Sequence, residues 1–414
     1  MGPLTGRVFA YARAPMSNPA RDRWQQVSSS AWLQVHPRLD DHAYGHAVAS
    51  VDAIATSTTL DDHVRVRLRE AFAALVHNGW EARLGQQIVP WGNADGFNPT
   101  DLLSSFDGRF FSADPEVRRV GAPMLWASWT PNGGDSPLQL TAVAVPVFTR
   151  SHLLMRPDLI PPGVTDTGVD RPTASPSNSE FAGKAAWHGE GWDISLMAFT
   201  GFNHVPHYVL RSFSPTGVVV GRTHQRQHAV GGDASISWRS WVLRAETAWV
   251  WNANRGGRNP ELQPPRWDSA VGIERPFLTY FRFHTQLVWR YHPGWQGPSS
   301  LSLPDPVETW LRREVAATNA VLHNYRFQSW PLATARIAFA TRDEVLEIDV
   351  FAAVQLTHIE RDAIDWALRP MLAWRATDAL RVRLGAEWFR GPDRGVFGAL
   401  NRFSGVFTEA EYGF

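Results

Sequence analysis

Apolar and polar residues alternate with a period of two along nearly the whole chain. In residues 379–390, Leu380 and Val382 fall on one face, whereas Arg381 and Arg383 fall on the other. Successive side chains of a β-strand point to opposite sides of a sheet, so the pattern predicts strands with one apolar and one polar face. The polar face carries charges of both signs, which suits a lumen whose charges pair with one another.

The alternating segments are long. Residues 241–251, 280–291 and 345–357 repeat the pattern, and each is about ten residues or more. Soluble strands average about 5–6 residues, whereas a strand that crosses a bilayer needs about 9–11. A soluble sandwich also alternates, but its strands would be shorter, so the length favours a membrane barrel.

Aromatic residues support the same conclusion. The 414 residues include 20 Trp, 22 Phe and 7 Tyr, and Trp and Tyr concentrate at the ends of the candidate strands, as they do in the aromatic girdles of outer-membrane barrels. No apolar stretch approaches the roughly 20 residues of a transmembrane helix. The sequence therefore predicts an all-β protein, a transmembrane antiparallel β-barrel of about 16–18 strands in the bacterial outer membrane, with residues 1–414 as one barrel domain.

The links between strands alternate between short and long. Short links lie at 77–79, 189–191, 239–240, 342–344 and 376–378, and long links lie at 91–117, 151–179, 252–265, 292–330 and 391–400. Short periplasmic turns opposite long extracellular loops are typical of these barrels. Within one long link, residues 307–327 fit either a short helix or a further strand.

The C-terminal segment is a second signal. Val406, Ala410, Tyr412 and Phe414 share one face of the final strand, and the chain stops on the aromatic residue. Tyr412 and Phe414 resemble the terminal signal by which the barrel-assembly machinery recognises its substrates. A sheet edge in lipid would leave backbone groups unsatisfied, so the first strand, near 6–14, should pair with 401–414.

Charge and composition exclude other classes. The formal net charge is zero, which gives no electrostatic support to nucleic-acid binding. With no cysteine, the chain has neither disulfides nor thiolate metal sites. The N-terminus lacks the charged and apolar regions of a signal peptide, so we expect the numbering to begin at or near the mature protein, with Met1 added in front of it or assigned by a misplaced start.

Residues 69–102 resemble a proteobacterial outer-membrane family of unknown function, whose genes often lie near RND-type lipid exporters. The family pattern is an Arg-Glu-Ala-aromatic strand, a Leu-Gly-Arg-Gln strand, then Trp-Gly and Asn-Pro-x-Asp. The matching residues here are Arg69, Glu70, Ala71, Phe72, Leu84, Gly85, Gln87, Trp91, Gly92, Asp95, Asn98, Pro99 and Asp101. Gln86 departs from the pattern, where the family usually has Arg.

Three further segments, 121–129, 143–148 and 191–207, are similar to the same family. The second half of the chain matches it only in strand pattern. The resemblance implies an outer-membrane barrel that takes part in the passage of hydrophobic or amphipathic molecules. It does not identify a substrate.

Charged residues on the polar faces are the candidate lumen and selectivity residues. They are Arg65, Arg67, Arg69, Arg83, Arg244, Glu246, Arg282, His284, Arg290, Glu347, Asp349, Arg381, Arg383 and Glu387. One interpretation is a structural ladder of Arg–carboxylate pairs, and the other is a selectivity lining. The two are compatible, because lumen charges tune selectivity whatever else they do.

The link after the Arg83 strand is the candidate constriction. Trp91, Asp95, Asn98 and Asp101 lie in it. The acidic and amide oxygens could ligate Ca²⁺, but the spacing does not fit a calcium loop, and Asx-turns in a structured loop explain these residues better.

No other chemistry stands out. His224 and His228 are four apart in an alternating region, which predicts one strand face and not a metal site, and Ser195, Ser235 and Ser237 have no visible His partner. We therefore expect no enzyme, no cofactor and no metal.

Two functions remain. One is a porin-like channel for small anionic, amphipathic or hydrophobic solutes. The alternative is a structural or partner-docking barrel with a plugged lumen, which anchors an envelope assembly. The expected partners are the lipid bilayer and lipopolysaccharide, the barrel-assembly machinery and, for the alternative, other envelope proteins.

Overall fold

The computed structural model describes residues 4–16, 26–56, 64–92, 94, 97–109, 112, 114–152, 162–277, 280–357, 364–392 and 395–414. Its strands are β1 (Thr5–Pro15), β2 (Gln26–Val35), β3 (Ala43–Thr56), β4 (Val64–His77), β5 (Trp80–Gln87), β6 (Ser105–Phe106), β7 (Arg119–Val120), β8 (Ala122–Trp129), β9 (Leu138–Val145), β10 (Val164–Val169), β11 (Glu180–Gly189), β12 (Trp192–Phe202), β13 (His207–Ser214), β14 (Gly217–Thr223), β15 (Arg226–Trp238), β16 (Trp241–Asn252), β17 (Arg266–Phe277), β18 (Phe281–Tyr291), β19 (Ser329–Ala340), β20 (Leu346–Gln355), β21 (Asp365–Arg375), β22 (Leu380–Arg390) and β23 (Gly405–Gly413).

Eighteen of these strands form one closed sheet. Each pairs antiparallel with its neighbours in chain order, and β1 pairs with β23 to close the ring, from Arg7 opposite Gly413 to Pro15 opposite Gly405. Backbone hydrogen bonds of 2.9 Å between Gly6 and Phe414 extend the closure by one step. The predicted fold, strand number and pairing of the first strand with the last are confirmed.

The two faces of the barrel follow the alternation. Large apolar side chains are exposed on the outside, among them Val66 (80%) and Leu384 (57%). On the last strand, Tyr412 and Phe414 face outwards, whereas Phe407 and Glu409 are buried inside. The predicted lipid face and polar lumen face are therefore confirmed on these strands.

One β-bulge changes the alternation in β4. The register with β3 shifts between Val48 and Ala49, so that Glu70 pairs with Val48 and Leu68 pairs with Ala49. Arg69 is the extra residue, and an extra residue at a bulge lets two consecutive side chains point to the same face. Leu68 faces outwards, whereas Arg69 and Glu70 both face the lumen.

Short links and long links lie at opposite ends, as the sequence indicates. Asn78 (φ 47°) and Gly79 (φ 80°) adopt the left-handed conformation of a tight hairpin turn between β4 and β5. The other end carries the long links, and by the usual orientation of such barrels it is extracellular. We call the two parts of the lumen the short-turn half and the long-link half.

Residues 306–322 form a helix, which settles the ambiguity at 307–327. Helix α1 (Pro306–Leu322) begins at the Asp305 cap, whose carboxylate accepts hydrogen bonds from the backbone N–H groups of Val307 and Glu308. No helix in the described residues is long and apolar enough to cross a membrane.

The long link at 203–225 is not among those that the sequence predicts. It contains the hairpin β13–β14, and β10 joins β14 in parallel to form a small separate sheet. His224 lies between β14 and β15, whereas His228 is within β15, so the prediction that they share a strand face is wrong. The side chain of Asn319 joins α1 to β13 by hydrogen bonds to the backbone N–H (2.7 Å) and C=O (2.9 Å) of Tyr208.

Candidate functional site in the barrel lumen

The link between β5 and β8 enters the lumen and reaches the opposite wall. Its Phe97 ring lies 6.1 Å from the ring of Trp330 on β19, halfway around the barrel from β5. The Gln286 amide on β18 donates to the Phe97 carbonyl at 3.3 Å. We call residues 88–121 the inner segment, and Asp95 within it lies outside the described residues.

Glu246 on β16 holds the far part of the inner segment. Its carboxylate accepts hydrogen bonds from the backbone N–H of Ala94 (3.1 Å) and from the N–H (2.7 Å) and hydroxyl (2.8 Å) of Thr100. Gly92 has φ 99°, and a side chain there would collide with the same carboxylate. Glu246 is 3% exposed, so it anchors the segment away from bulk water.

Arg69 on β4 holds the returning part of the inner segment. Its guanidinium donates to the carbonyls of Val117 (3.0 Å), Glu116 (3.0 Å) and Arg119 (3.1 Å). Arg69 faces inwards in alternation with Arg65 and Arg67, and the bulge lets the next residue, Glu70, face the lumen beside it. The Glu70 carboxylate accepts from the Ile88 N–H at 3.0 Å, where the segment begins.

Asp101 joins the two parts of the inner segment. Its carboxylate accepts from the Ser104 hydroxyl (2.6 Å) and the Arg119 guanidinium (2.9 Å). The ring of Trp91 is buried against the barrel wall. Two residues of the family resemblance contact each other here, because the Trp91 N–H donates to the Asp101 carboxylate at 3.4 Å. The predicted constriction by Trp91, Asn98 and Asp101 stays a prediction.

A second segment folds inwards from the link between β22 and β23. The Asp365 carboxylate on β21 accepts from the backbone N–H groups of Val396 (2.6 Å), Phe397 (2.9 Å) and Gly398 (2.9 Å). Val396 and Phe397 pack in the same apolar cluster as Phe97. The two segments therefore meet in the long-link half.

Small side chains on the wall make room for this packing. The inward alanines that are buried in the two apolar clusters are Ala122, Ala182, Ala229, Ala248, Ala270, Ala353 and Ala367. A larger residue at these positions would displace the inner segment from the wall.

The short-turn half of the lumen carries paired charges, which lie on the same strand or on strands one or two positions apart. The pairs are Arg83–Glu81 (2.8 Å), Arg244–Glu274 (2.6 Å), Arg336–Asp349 (2.5 Å), Arg381–Glu347, and Arg383 with Glu409 (2.6 Å) and Glu411 (2.8 Å). Arg282 and His284 lie on the inner face of β18 in the same half. These contacts are the ladder of Arg–carboxylate pairs that the sequence suggested.

The remaining predicted lumen residues lie nearer the long-link end. Glu387 accepts from Arg13 of β1, and Arg290 on β18 pairs with the buried Asp268 on β17 at 2.5 Å. Arg65 and Arg67 both approach Asp107 of the inner segment at 3.5 Å.

Positive charge exceeds negative charge around Asp107. Five arginines, Arg65, Arg67, Arg69, Arg109 and Arg118, surround Asp52 and Asp107. Arg69 also interacts with Glu70, and Arg118 with Glu387, so the arginines outnumber these carboxylates by five to four. Burial alone raises the pKa of Asp107, but hydrogen bonds and charge from Arg109 lower it to about 2. This carboxylate is therefore ionised at neutral pH, and the cluster keeps a net positive charge.

A cavity of about 410 Å³ lies below the inner segment, towards the short-turn end. Its lining includes Arg7, Trp32, His46 and Glu116. The guanidinium carbons of Arg7 and Arg69 each lie 3.9 Å from the Trp32 ring. An aromatic ring between cations gives the cavity both a polar and an apolar surface.

Sequence reasoning missed one buried contact chain. The Ser105 hydroxyl is 2.8 Å from His204 Nδ1, and His204 Nε2 is 3.3 Å from the Glu180 carboxylate. Burial alone lowers the pKa of His204, but the charge and hydrogen bond of Glu180 raise it above its usual value. The three residues are far apart in sequence and share no motif, so no sequence signal could have found them.

The described residues contain no group of three or more His, Cys, Asp or Glu side chains that could hold a metal ion. Asp101 instead binds Arg119.

Comparison with known proteins identifies the fold. No protein-family model matches the chain, and no curated protein matches it by sequence. Among solved structures it is similar to a BenF-like porin from Pseudomonas fluorescens Pf-5, with a TM-score of 0.57 and 10% identity over 99% of this chain and 97% of that chain.

Two Pseudomonas aeruginosa structures are similar as well. OccK2 (OpdF) in complex with glucuronate gives a TM-score of 0.55 and 13% identity, over 99% of this chain and 96% of that chain. OccK5 (OpdH) gives 0.53 and 11% identity, over 99% of this chain and 96% of that chain. The chain therefore has the fold of outer-membrane porins, and the bacterial outer membrane is the compartment of that fold.

Proposed function

We propose that this protein is an outer-membrane channel for small solutes, with a preference for anionic and amphipathic ones. The observation that carries the proposal is the positive cluster around Asp107, where wall and inner segment meet. An 18-stranded barrel is too wide for wall side chains alone to fill. The cluster would therefore face any solute that passes the inner segment on that side.

The short-turn half supports the same proposal. Its charged side chains need water or partners and would not line a dry core. One of the similar solved structures supports the proposed preference for anions, because it was solved with glucuronate, an organic anion. The resemblance to the family encoded near RND-type lipid exporters extends the proposed solutes to amphipathic and hydrophobic molecules.

Catalysis is not part of the proposal. In the Ser105–His204–Glu180 chain, the Ser105 hydroxyl donates to the Thr149 carbonyl at 2.7 Å. Because the Ser105 hydroxyl donates its one proton to Thr149 and not to His204, the two residues are not arranged as a nucleophile and its base. The geometry fits a structural clamp between the inner segment and the neighbouring links.

The test is ion preference in planar bilayers. In a KCl gradient, the reversal potential should indicate an anion preference, and replacing Arg65, Arg67 and Arg109, which all contact Asp107, with Ser should shift it towards cations. Arg211→Ser is the matched control, because Arg211 pairs with Asp170 in an exposed link and its loss should leave the potential unchanged. If the triple variant had the same reversal potential as the parent protein, the proposed anion preference would be wrong.

A docking barrel with a plugged lumen is the second candidate. The packing of two inward segments in the long-link half favours it. If well-folded protein carried no current, and still carried none after Glu246→Ala had released the inner segment, the docking function would replace the channel.

A further inference from the structure

A second group of arginines lies between the small sheet of β10, β13 and β14 and the inner segment. Arg222 belongs to β14, and its backbone carbonyl accepts a hydrogen bond from the N–H of Asp170 at 2.8 Å. Arg171 follows Asp170 directly in the chain, so it lies beside β14. These residues belong to the long-link end of the barrel, which by the usual orientation is extracellular.

Arg150 joins this group from the link between β9 and β10. Two residues further along the chain, His152 forms a parallel bridge with Asp107 of the inner segment, so Arg150 lies near Arg109. We call the group the mouth cluster, and its members are Arg109, Arg150, Arg171 and Arg222. Burial lowers the pKa of Arg150, and the positive charges of the other three members lower it further. Arg150 is thus surrounded by positive charge.

Carboxylates pair with only half of the mouth cluster. The two ion pairs are Arg222–Asp166 at 2.9 Å and Arg109–Asp107 at 2.8 Å. In the part of the chain that the structure describes, Arg150 and Arg171 have no carboxylate within ion-pair distance. Two of the four guanidinium charges are therefore left without a negative partner there.

A ligand can reach the mouth cluster from the extracellular side. Arg171 is exposed, and the side chains of Arg109 and Arg222 are 20% and 17% exposed. Deeper in the cluster, the Nε atoms of Arg150 and Arg222 are buried and have no hydrogen-bond partner among the described residues. Buried donors in proteins are nearly always paired, and an anion placed among like charges offsets their repulsion. A bound anion would therefore stabilise this arrangement on both counts.

The number and arrangement of the arginines favour a phosphate group over a carboxylate. A phosphomonoester carries about −1.5 to −2 charges at pH 7 and three strong acceptor oxygens, which matches two guanidinium groups without a carboxylate. A carboxylate carries one charge, and a single guanidinium can bind both of its oxygens. The four arginines come from four separate elements, namely the inner segment, the β9–β10 link, the β10–β11 link and β14. They can therefore approach a tetrahedral group from different sides.

We propose that the mouth cluster is a binding site for a phosphate group, carried by a soluble phosphomonoester or by lipopolysaccharide of the surrounding leaflet. The site goes beyond the proposed channel function, since it can hold a phosphate whether or not the lumen conducts. Arg109 also belongs to the positive cluster around Asp107. A phosphomonoester held at the mouth would therefore lie next to the proposed selectivity region.

Binding of radiolabelled inorganic phosphate to the folded protein in detergent tests the site. We expect saturable binding at neutral pH, and Arg150→Gln and Arg171→Gln should each weaken it about tenfold, because each removes charge-assisted hydrogen bonds. Arg258→Gln is the matched control. Arg258 is exposed in another long link, so its loss should leave phosphate binding unchanged. The migration of unheated protein in detergent gels checks that each variant is folded.

Competition experiments identify the carrier of the phosphate. If lipopolysaccharide displaces the bound phosphate and dephosphorylated lipopolysaccharide does not, the lipid phosphate occupies the site. If glucose 6-phosphate displaces it and lipopolysaccharide does not, the carrier is a soluble phosphomonoester. Either result supports the site.

The proposal would be wrong if the parent protein bound no phosphate, if both arginine variants bound it as tightly as the parent, or if acetate bound equally well. Arg171 is exposed, so Arg171→Gln keeps the test decisive even where Arg150→Gln fails to fold. Ion preference in planar bilayers, measured on the same preparations, decides the channel function separately.

Discussion

The two halves of the lumen are built on opposite principles. In the long-link half, buried alanines and aromatic rings pack against folded-in backbone, and single carboxylates such as Glu246 and Asp365 hold that backbone by its N–H groups. In the short-turn half, charged side chains of neighbouring strands pair with one another. One half behaves like a protein core and the other like a wet surface, so the same substitution should have different effects in each.

The largest expected effect is on conductance through the packed half. Glu246→Ala removes the acceptor of two backbone N–H groups and one hydroxyl, and each unsatisfied donor costs about 1–3 kcal/mol. The inner segment should detach from β16, and single-channel conductance should rise several-fold. Glu274→Ala removes a partly exposed partner of Arg244 in the short-turn half, and it should leave the conductance near that of the parent. Equal increases in conductance from both variants would contradict the proposed difference between the two halves.

The next effect separates the lipid face from the lumen face. Leu384 is exposed on the outside near the middle of β22, so Leu384→Arg should lower the free energy of unfolding by about 2–4 kcal/mol. Arg381→Leu on the inner face should cost about 1 kcal/mol or less, because its pair with Glu347 is partly exposed. Urea titration of folding in bilayers measures both, and a similar cost for the two changes would contradict the assigned faces.

We expect acid to destabilise the packing of the long-link half and to leave the short-turn half unchanged. His323 and His207 lie where helix α1 meets β13. Burial lowers the pKa of His323 to about 3 and that of His207 to about 4. Because these pKa values lie below the unfolded value of about 6.5, the packing is fully stable above that pH and loses stability as the pH falls towards 4. For His207 the loss is about 3 kcal/mol.

Limited proteolysis of the long links between pH 7 and 4 measures this loosening. Cleavage between 292 and 328 should increase as the pH falls, while the barrel strands stay protected. His323→Gln cannot take up the proton and should reduce the acid effect. A pH-independent cleavage pattern would show that these histidines do not report on the packing.

The smallest effect concerns the charge ladder itself. Arg244→Ser breaks one partly exposed pair with Glu274, so the free energy of unfolding should change by about 1 kcal/mol or less. The change in reversal potential should likewise be smaller than that of the variants around Asp107. A larger shift from Arg244→Ser would place the selectivity in the short-turn half.

The sequence predicts what depends on local periodicity. Alternation identifies the strands and their two faces, because both follow from a period of two. The closing pair follows from the cost of an open sheet edge in lipid. Alternation also places Arg244, Glu347 and Arg381 on the inner face, where the structure pairs Arg244 with Glu274 and Arg381 with Glu347.

Contacts between distant segments could not be predicted in this way. Nothing local indicates that Glu246 receives the N–H of Thr100, or that Asp365 holds Phe397. The bulge at Arg69 also escapes a period-two analysis, because one extra residue inverts the pattern without changing the composition. The functional roles of the lumen residues stay predictions for the same reason, since they depend on the path that the folded-in segments leave open.

Closure of the ring has a consequence for the order of folding. Every barrel pair joins successive strands except β1–β23, so hairpins can form one after another with little loss of chain entropy, and only the last step joins distant parts of the chain. The inner segment contacts both closing strands, through Asp114 to Arg7 of β1 (3.2 Å) and through Ser112 to Glu409 of β23 (2.5 Å). It therefore bridges the two closing strands in the folded barrel, and these contacts stabilise the closed ring over an open sheet.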